Sequence, residues 1–128
     1  MIIPAQNKNL LIKLPEFSDA RGVLTVMQDA LPFEVKRAYW ISAPEGALRG
    51  GHRHQTTVQA LVAVSGEVEI FMNNGITKQF IKLSSQSECL LVYPQYWHTM
   101  RFLRSSSMLL VFSSTPYDVN EYIDTPYE

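Results

Sequence analysis

The strongest constraint on this chain is its punctuation. Short β-leaning apolar runs return about every eight to twelve residues, each closed by a turn signal. Nowhere does a helical apolar period persist long enough for a convincing long helix. The runs fall at residues 10–14, 23–27, 35–41, 58–64, 67–72, 76–83, 89–93, 99–103 and 108–113. Between them lie Pro15, a turn-rich stretch at 17–22 ending in Gly22, a break at 31–33, the turn Ser65-Gly66 and polar loops at 84–87 and 104–107. Asn73-Asn74-Gly75 predicts a hairpin with a type I′ turn, whose central positions need positive φ. Residues 117–123 fit one short helical turn. Such a pattern predicts a closed or sandwiched all-β fold, and a jelly roll holding a small ligand inside it is the favoured form.

Length and charge narrow the function classes. A chain of 128 residues fits a single domain, residues 1–128, with a self-sufficient core. Its formal net charge of -1 gives no field to attract nucleic acid or an anionic membrane, so an anionic ligand must be met by local arginines. Apolar runs reach about five residues, against the roughly 20 that span a bilayer. The opening residues lack the basic-then-apolar order of a signal peptide. A lone Cys89 excludes an internal disulfide and suits a reducing cytoplasm; within its apolar run it reads as a buried strand residue.

Chemistry concentrates in residues 49–66. His52 and His54 stand two apart, so on a strand both imidazoles face the same side. Residues 42–51, with Pro44, Gly46, Gly50 and Gly51, read as the loop that delivers the chain to them. The third histidine, His98, closes a second cluster, Pro94-Gln95-Tyr96-Trp97-His98. On the strand at 35–41, Arg37, Tyr39 and Ile41 share one face, while Trp40 sits on the other as a core or interface residue. A pocket lined by these clusters is the expected site. Taken singly, His98 fits a pocket wall as well as a catalytic role, and Arg37 fits a solvated surface charge.

Gly46, His52, His54, Gln59 and Gly66 follow a spacing that resembles the first motif of the cupin superfamily of small jelly rolls. Metal-binding cupins usually carry a glutamate where this chain has Gln59, and a neutral amide compensates a divalent charge poorly. Three histidines remain able to hold zinc with an open position. The missing carboxylate favours a site without metal.

Longer strings sharpen the resemblance. Lys36-Arg37-Ala38-Tyr39-Trp40-Ile41, then Arg49-Gly50-Gly51-His52-Arg53-His54, Gln59, Val64-Ser65-Gly66 and Tyr93-Pro94-Gln95-Tyr96-Trp97-His98 resemble, in order, the nucleotide-sugar 3,4-ketoisomerases. The early Asp19-Ala20-Arg21-Gly22 and the late residues 114–123 are similar to that family too. The resemblance implies a homodimeric cupin jelly roll, its dimers pairing sheets and exchanging N-terminal strands. It would act in the cytoplasm on a dTDP-linked 4-keto-6-deoxyhexose and move the carbonyl from C4 to C3 without a cofactor. Two positions depart from the family pattern. Arg53 replaces a small residue and should point away from the pocket, tolerated or serving a dimer contact; Thr99 stands where an acid is common.

The reaction asks for a base with a pKa near working pH and for donors to a negative enediolate oxygen. On the resemblance, His54 is the base at carbon and His52 moves a proton between the oxygens, or the reverse. Tyr39 bonds a sugar oxygen or an imidazole. Arg49 or Gln59 supplies donors to the intermediate. Arg37 and Arg49 suit the diphosphate. Trp97 and Tyr96, beside His98, offer a wall for thymine. Tyr117 and Asp118 match family residues or only fix the tail. A 3,5-epimerase, a metal-dependent cupin and a non-catalytic sugar-binding cupin are the competing readings.

Overall fold

A computed structural model describes residues 10–127. The signal-peptide reading therefore falls largely on residues outside those described. Twelve strands follow one another: β1 (Leu11–Lys13), β2 (Glu16–Asp19), β3 (Gly22–Thr25), β4 (Arg37–Ser42), β5 (Leu48–His54), β6 (Gln59–Ser65), β7 (Val68–Asn73), β8 (Lys78–Leu83), β9 (Glu88–Val92), β10 (Trp97–Phe102), β11 (Met108–Ser113) and β12 (Tyr122–Ile123). A short 3-10 turn, Val119–Glu121, precedes β12, as the tail pattern predicts. No helix among the described residues is long and apolar enough to cross a membrane.

Two five-stranded sheets, in the orders β1-β9-β6-β11-β4 and β12-β5-β10-β7-β8, form the expected jelly roll, with β2 and β3 as a separate hairpin. Strand alternation explains the core between them. Leu61, Leu90, Leu109 and Val111 of the first sheet are buried with Val68, Ile70, Met72, Met100 and Phe102 of the second. Cys89 is fully buried as expected, and burial pushes its thiol up to about 11.

Three local expectations are corrected. The loop expected at 42–51 is shorter, because β5 begins at Leu48 and carries Gly50 and Gly51 with φ of 90° and 84°. The turn-rich stretch at 17–22 is mostly strand, tightened only around Gly22. The β7–β8 hairpin exists, but Asn73 pairs with Lys78, so residues 74–77 form a longer loop than a type I′ turn allows. There only Gly75 has positive φ, and the Asn74 side chain accepts from the backbone N–H groups of Ile76 and Thr77.

Trp40 is not a core residue. It stands 66% exposed on the outer face of the first sheet, where no part of the described chain covers it. The inward side of β4 holds Arg37, Tyr39 and Ile41, as alternation predicts.

Candidate active site

One end of the jelly roll opens into a cavity of about 460 Å³, lined among others by Arg37, Tyr39, Arg49, His52, Gln59, His98, Met100 and Tyr122. Four long strands and the short β12 supply these side chains. Their positions follow from inward-facing alternation on β4, β6 and β10, and on β5 from one extra residue, Gly51, opposite the His98–Thr99 step, which puts Arg49 and His52 on the same side.

The approach of β5 to β10 depends on glycine. A Cβ on Gly50 would stand 2.9 Å from the carbonyl oxygen of His98, so only hydrogen fits, and φ of +90° adds a second reason. The two strands then bring His52 opposite His98, with a register shift between His98 and Thr99. The His52 ring meets the His54 and His98 rings edge-on, each with centroids 5.2 Å apart. All three histidines of the chain thus form one cluster.

Burial and mutual repulsion keep these rings neutral. His98 lies 1% exposed, and burial, then the neighbouring His52, hold it down to about 3. Its Nδ1 lies 3.2 Å from the Tyr96 carbonyl oxygen. A carbonyl only accepts, so in the neutral ring Nδ1 carries the proton and Nε2 keeps a lone pair. His54 is 4% exposed and held down to about 4 by burial, then by His52, against the opposing charge of Glu121. Burial also lowers His52, with Asp124 opposing it. Among the described residues neither ring nitrogen of His54 has a hydrogen-bond partner.

Tyr39 and Gln59 form a fixed polar wall. Gln59 Nε2 donates to the Tyr39 hydroxyl and to Ser113 Oγ, both at 3.2 Å. Burial raises the Tyr39 phenol, so it stays protonated. Arg37 lies over the Tyr39 ring at 4.3 Å and donates to the Tyr122 hydroxyl at 3.4 Å. Arg49 is exposed at the rim.

Several expected positions move. Tyr96 does not line the cavity; Gln95 takes φ of 69° and turns the Tyr96 ring into the core, where it is 1% exposed. Trp97 also stays off the cavity, since alternation from His98 sends it to the other face of β10, beside Gly51. His54 is in the cluster but one ring behind the cavity wall that His52 forms. Arg53 points away from the histidines and packs at 4.1 Å on Tyr127 of its own chain. Thr99 lies in a separate shallow groove with Leu48, Phe71 and Arg101.

Tyr122 was not foreseen. Its ring lies 4.7 Å from that of His52 and 4.6 Å from that of His54, closing the cluster from the tail. The repeated aromatic residues of the 114–123 string were the available signal; nothing local to them points to the histidines.

Whether the site suits a metal is a question of donors. Among the described residues no three His, Cys, Asp or Glu side chains are grouped to hold a metal ion. Gln59 could offer only its neutral amide oxygen, its nitrogen donating to Tyr39 and Ser113, and an uncharged oxygen compensates a divalent ion poorly. The residues present do not fit a metal centre.

A cupin-type jelly roll with a histidine cluster beside a polar cavity defines the class. Comparison with known proteins places the chain within it. The profile of the FdtA family, described as WxcM-like, C-terminal, matches residues 7–128. The TDP-4-oxo-6-deoxy-alpha-D-glucose-3,4-oxoisomerase of Aneurinibacillus thermoaerophilus is 33% identical over 119 residues, covering 91% of this chain and 86% of the relative. A doubly substituted QdtA 3,4-ketoisomerase from Thermoanaerobacterium thermosaccharolyticum, solved with TDP, is 33% identical with a TM-score of 0.86, covering 90% of this chain and 86% of that one. A histidine-to-asparagine variant of QdtA, solved with TDP-4-keto-6-deoxyglucose, is 30% identical over the same shares, also with a TM-score of 0.86. This chain belongs to the nucleotide-sugar 3,4-ketoisomerase family.

Proposed function

We propose that the protein converts a dTDP-linked 4-keto-6-deoxyhexose into its 3-keto isomer by histidine-mediated proton transfer. The observation that carries this reading is the cluster of neutral imidazoles beside the polar wall of Tyr39 and Gln59. The base removes the C3 proton, and the electron pair moves into an enediolate whose negative charge develops on the C4 oxygen. A proton passes from the C3 hydroxyl to that oxygen, and C4 then receives a proton as the C3 carbonyl forms. Atoms and electrons balance within the sugar, so no redox cofactor is needed.

Roles follow from position. His52 faces the cavity and is placed to exchange protons with the sugar, while His54 packs edge-on behind it and completes the histidine pair. Gln59 donates to the Tyr39 oxygen, which leaves the phenolic hydrogen free to bond a sugar oxygen. Arg37 and Arg49 flank the cavity with the cations a diphosphate requires. The QdtA complexes with TDP and with TDP-4-keto-6-deoxyglucose support the same substrate class here.

The protein acts as a homodimer in the cytoplasm. The exposed Trp40, with Leu110 and Phe112 on the same outer face, offers an apolar surface suited to pairing about a two-fold axis. A monomer by light scattering at micromolar concentration overturns the dimer.

The deciding experiment is proton NMR of dTDP-4-keto-6-deoxyglucose with metal-stripped protein in D2O. Loss of the C3 proton signal and growth of a 3-keto product are expected, and the C4 coupling reports which face receives the proton. Deuterium entering C5 as well supports the epimerase. An unchanged spectrum from folded protein overturns the proposal.

A further inference from the structure

The tail reaches the histidine cluster through one carboxylate that the reaction does not require. Glu121 ends the 3-10 turn and faces the loop that follows His54. Its Oε1 accepts from the backbone N–H groups of Thr56 and Thr57, both at 2.9 Å, and from Thr57 Oγ1 at 2.7 Å. Its Oε2 accepts from Thr56 Oγ1 at 2.8 Å. The main chain repeats the link, with Gln55 N–H donating to the Glu121 carbonyl at 3.0 Å and Gln55 Nε2 to the Asn120 carbonyl at 2.8 Å. Both ends of this clamp adjoin the site: Gln55 follows His54, Tyr122 follows Glu121, and Tyr122 pairs with His54 across β12 and β5.

We infer that Glu121 is a positioning residue of the isomerase: by clamping the tail to Thr56 and Thr57, it holds Tyr122 against His52 and His54 and fixes the orientation of both rings. The His54 imidazole has no hydrogen-bond partner of its own among the described residues, so ring packing is what orients it. Glu121 also acts through its charge. Burial opposes its ionisation, but the Thr56 and Thr57 donors outweigh it and hold the carboxyl down to about 2, so it stays charged. The ionisable groups around His54 are Arg37, His52, His98, Tyr122, Asp118 and Glu121. Of these, Glu121 raises the His54 pKa while His52 and Arg37 lower it.

The inference rests on the proposed role of the histidine pair, and the two fail differently. Turnover that survives His54→Asn defeats that role. An inactive His54→Asn beside an unaltered Glu121→Gln defeats only the clamp. The test is Glu121→Gln in the full chain, with kcat, KM, the pH profile of kcat and the imidazole NMR titration of His54. Glutamine presents an NH2 group to a site built from donors and removes the charge. Expected are a fall in kcat of roughly tenfold or more, little change in KM, an acidic limb moved to lower pH and shifted His54 ring signals. Thr57→Val removes one donor from the other side and should give a smaller change in the same direction, which keeps the test alive if Glu121→Gln does not fold. A lower kcat with His54 signals and pH profile unmoved overturns the inference, as do two folded variants indistinguishable from the parent.

Discussion

Gln59 Nε2 lies 3.2 Å from the Tyr39 hydroxyl oxygen, and that oxygen is the acceptor. The relationship fixes where the phenolic hydrogen goes. With one lone pair taken by the amide, the O–H points to another partner, and the cavity is where that partner binds. Tyr39→Phe should keep the fold, cost about 1 kcal/mol of stability and lower kcat by roughly 10²-fold. Denaturant melts and a product assay check both, and an undiminished kcat removes Tyr39 from the mechanism.

Arg49 offers a cleaner test of anion binding than Arg37, which also packs on Tyr39 and bonds Tyr122. Arg49→Ala should raise KM by roughly tenfold to a hundredfold, the worth of a hydrogen bond to a charged group. Calorimetry with dTDP alone should show the same loss. Unchanged dTDP affinity would place the diphosphate elsewhere.

The histidine cluster makes stability depend on pH with a defined sign. His54 and His98 are held in the folded protein at about 4 and about 3, below the ordinary histidine value. Between those values and about 6.5 the unfolded chain binds more protons, so stability rises with pH there. Stability present above pH 6.5 is thus lost as pH falls through 4, on the order of a few kcal/mol. Glu121, held at about 2, adds a further loss below the ordinary glutamate range. Urea midpoints at several pH values measure the slope, which His98→Asn should flatten; a flat profile in the parent contradicts the burial argument.

Gly50 and Gly46 separate backbone strain from close approach. Both have positive φ, +90° and +87°, but only at Gly50 does an added Cβ meet other atoms, starting with His98 O at 2.9 Å. Gly46→Ala should cost about 1 kcal/mol of strain. Gly50→Ala should cost more, about 3 kcal/mol, and impair turnover because β5 carries His52. Equal effects in melting and assay would mean that the β5–β10 contact is slack.

Much of the site was legible because two-residue alternation is a strong local rule. It put Arg37 with Tyr39 and His52 with His54, and the strands place each pair on one inward face. Where a direction depends on one unusual backbone angle, alternation has nothing to offer. Gln95 is a non-glycine residue at φ of 69°, and it sends Tyr96 into the core. Trp40 shows a different failure: its face was read correctly, but its burial depends on what covers that face, which no periodicity reports. Tyr122 was hidden by distance along the chain, since a two-residue strand leaves almost no pattern. Its contact is assembled by Glu121 and the Thr56–Thr57 donors, a match between remote segments.

That remote match bears on how the protein loses activity when warmed. Beyond Ser113 the described chain adds no residue to the buried apolar core, and the tail is held mainly by polar contacts: the Glu121 clamp, the two-residue β12 and the Tyr127 hydroxyl on the Gln95 carbonyl. Segments held this way open at lower free energy than a core sheet. Tyr122 would leave the histidines, taking the two-residue edge strand β12 with it, before the other strands of either sheet melt. Turnover should therefore fail at a temperature where circular dichroism still reports a largely intact jelly roll. Thermal inactivation would then measure the hold of the tail, and cooling should restore it without refolding.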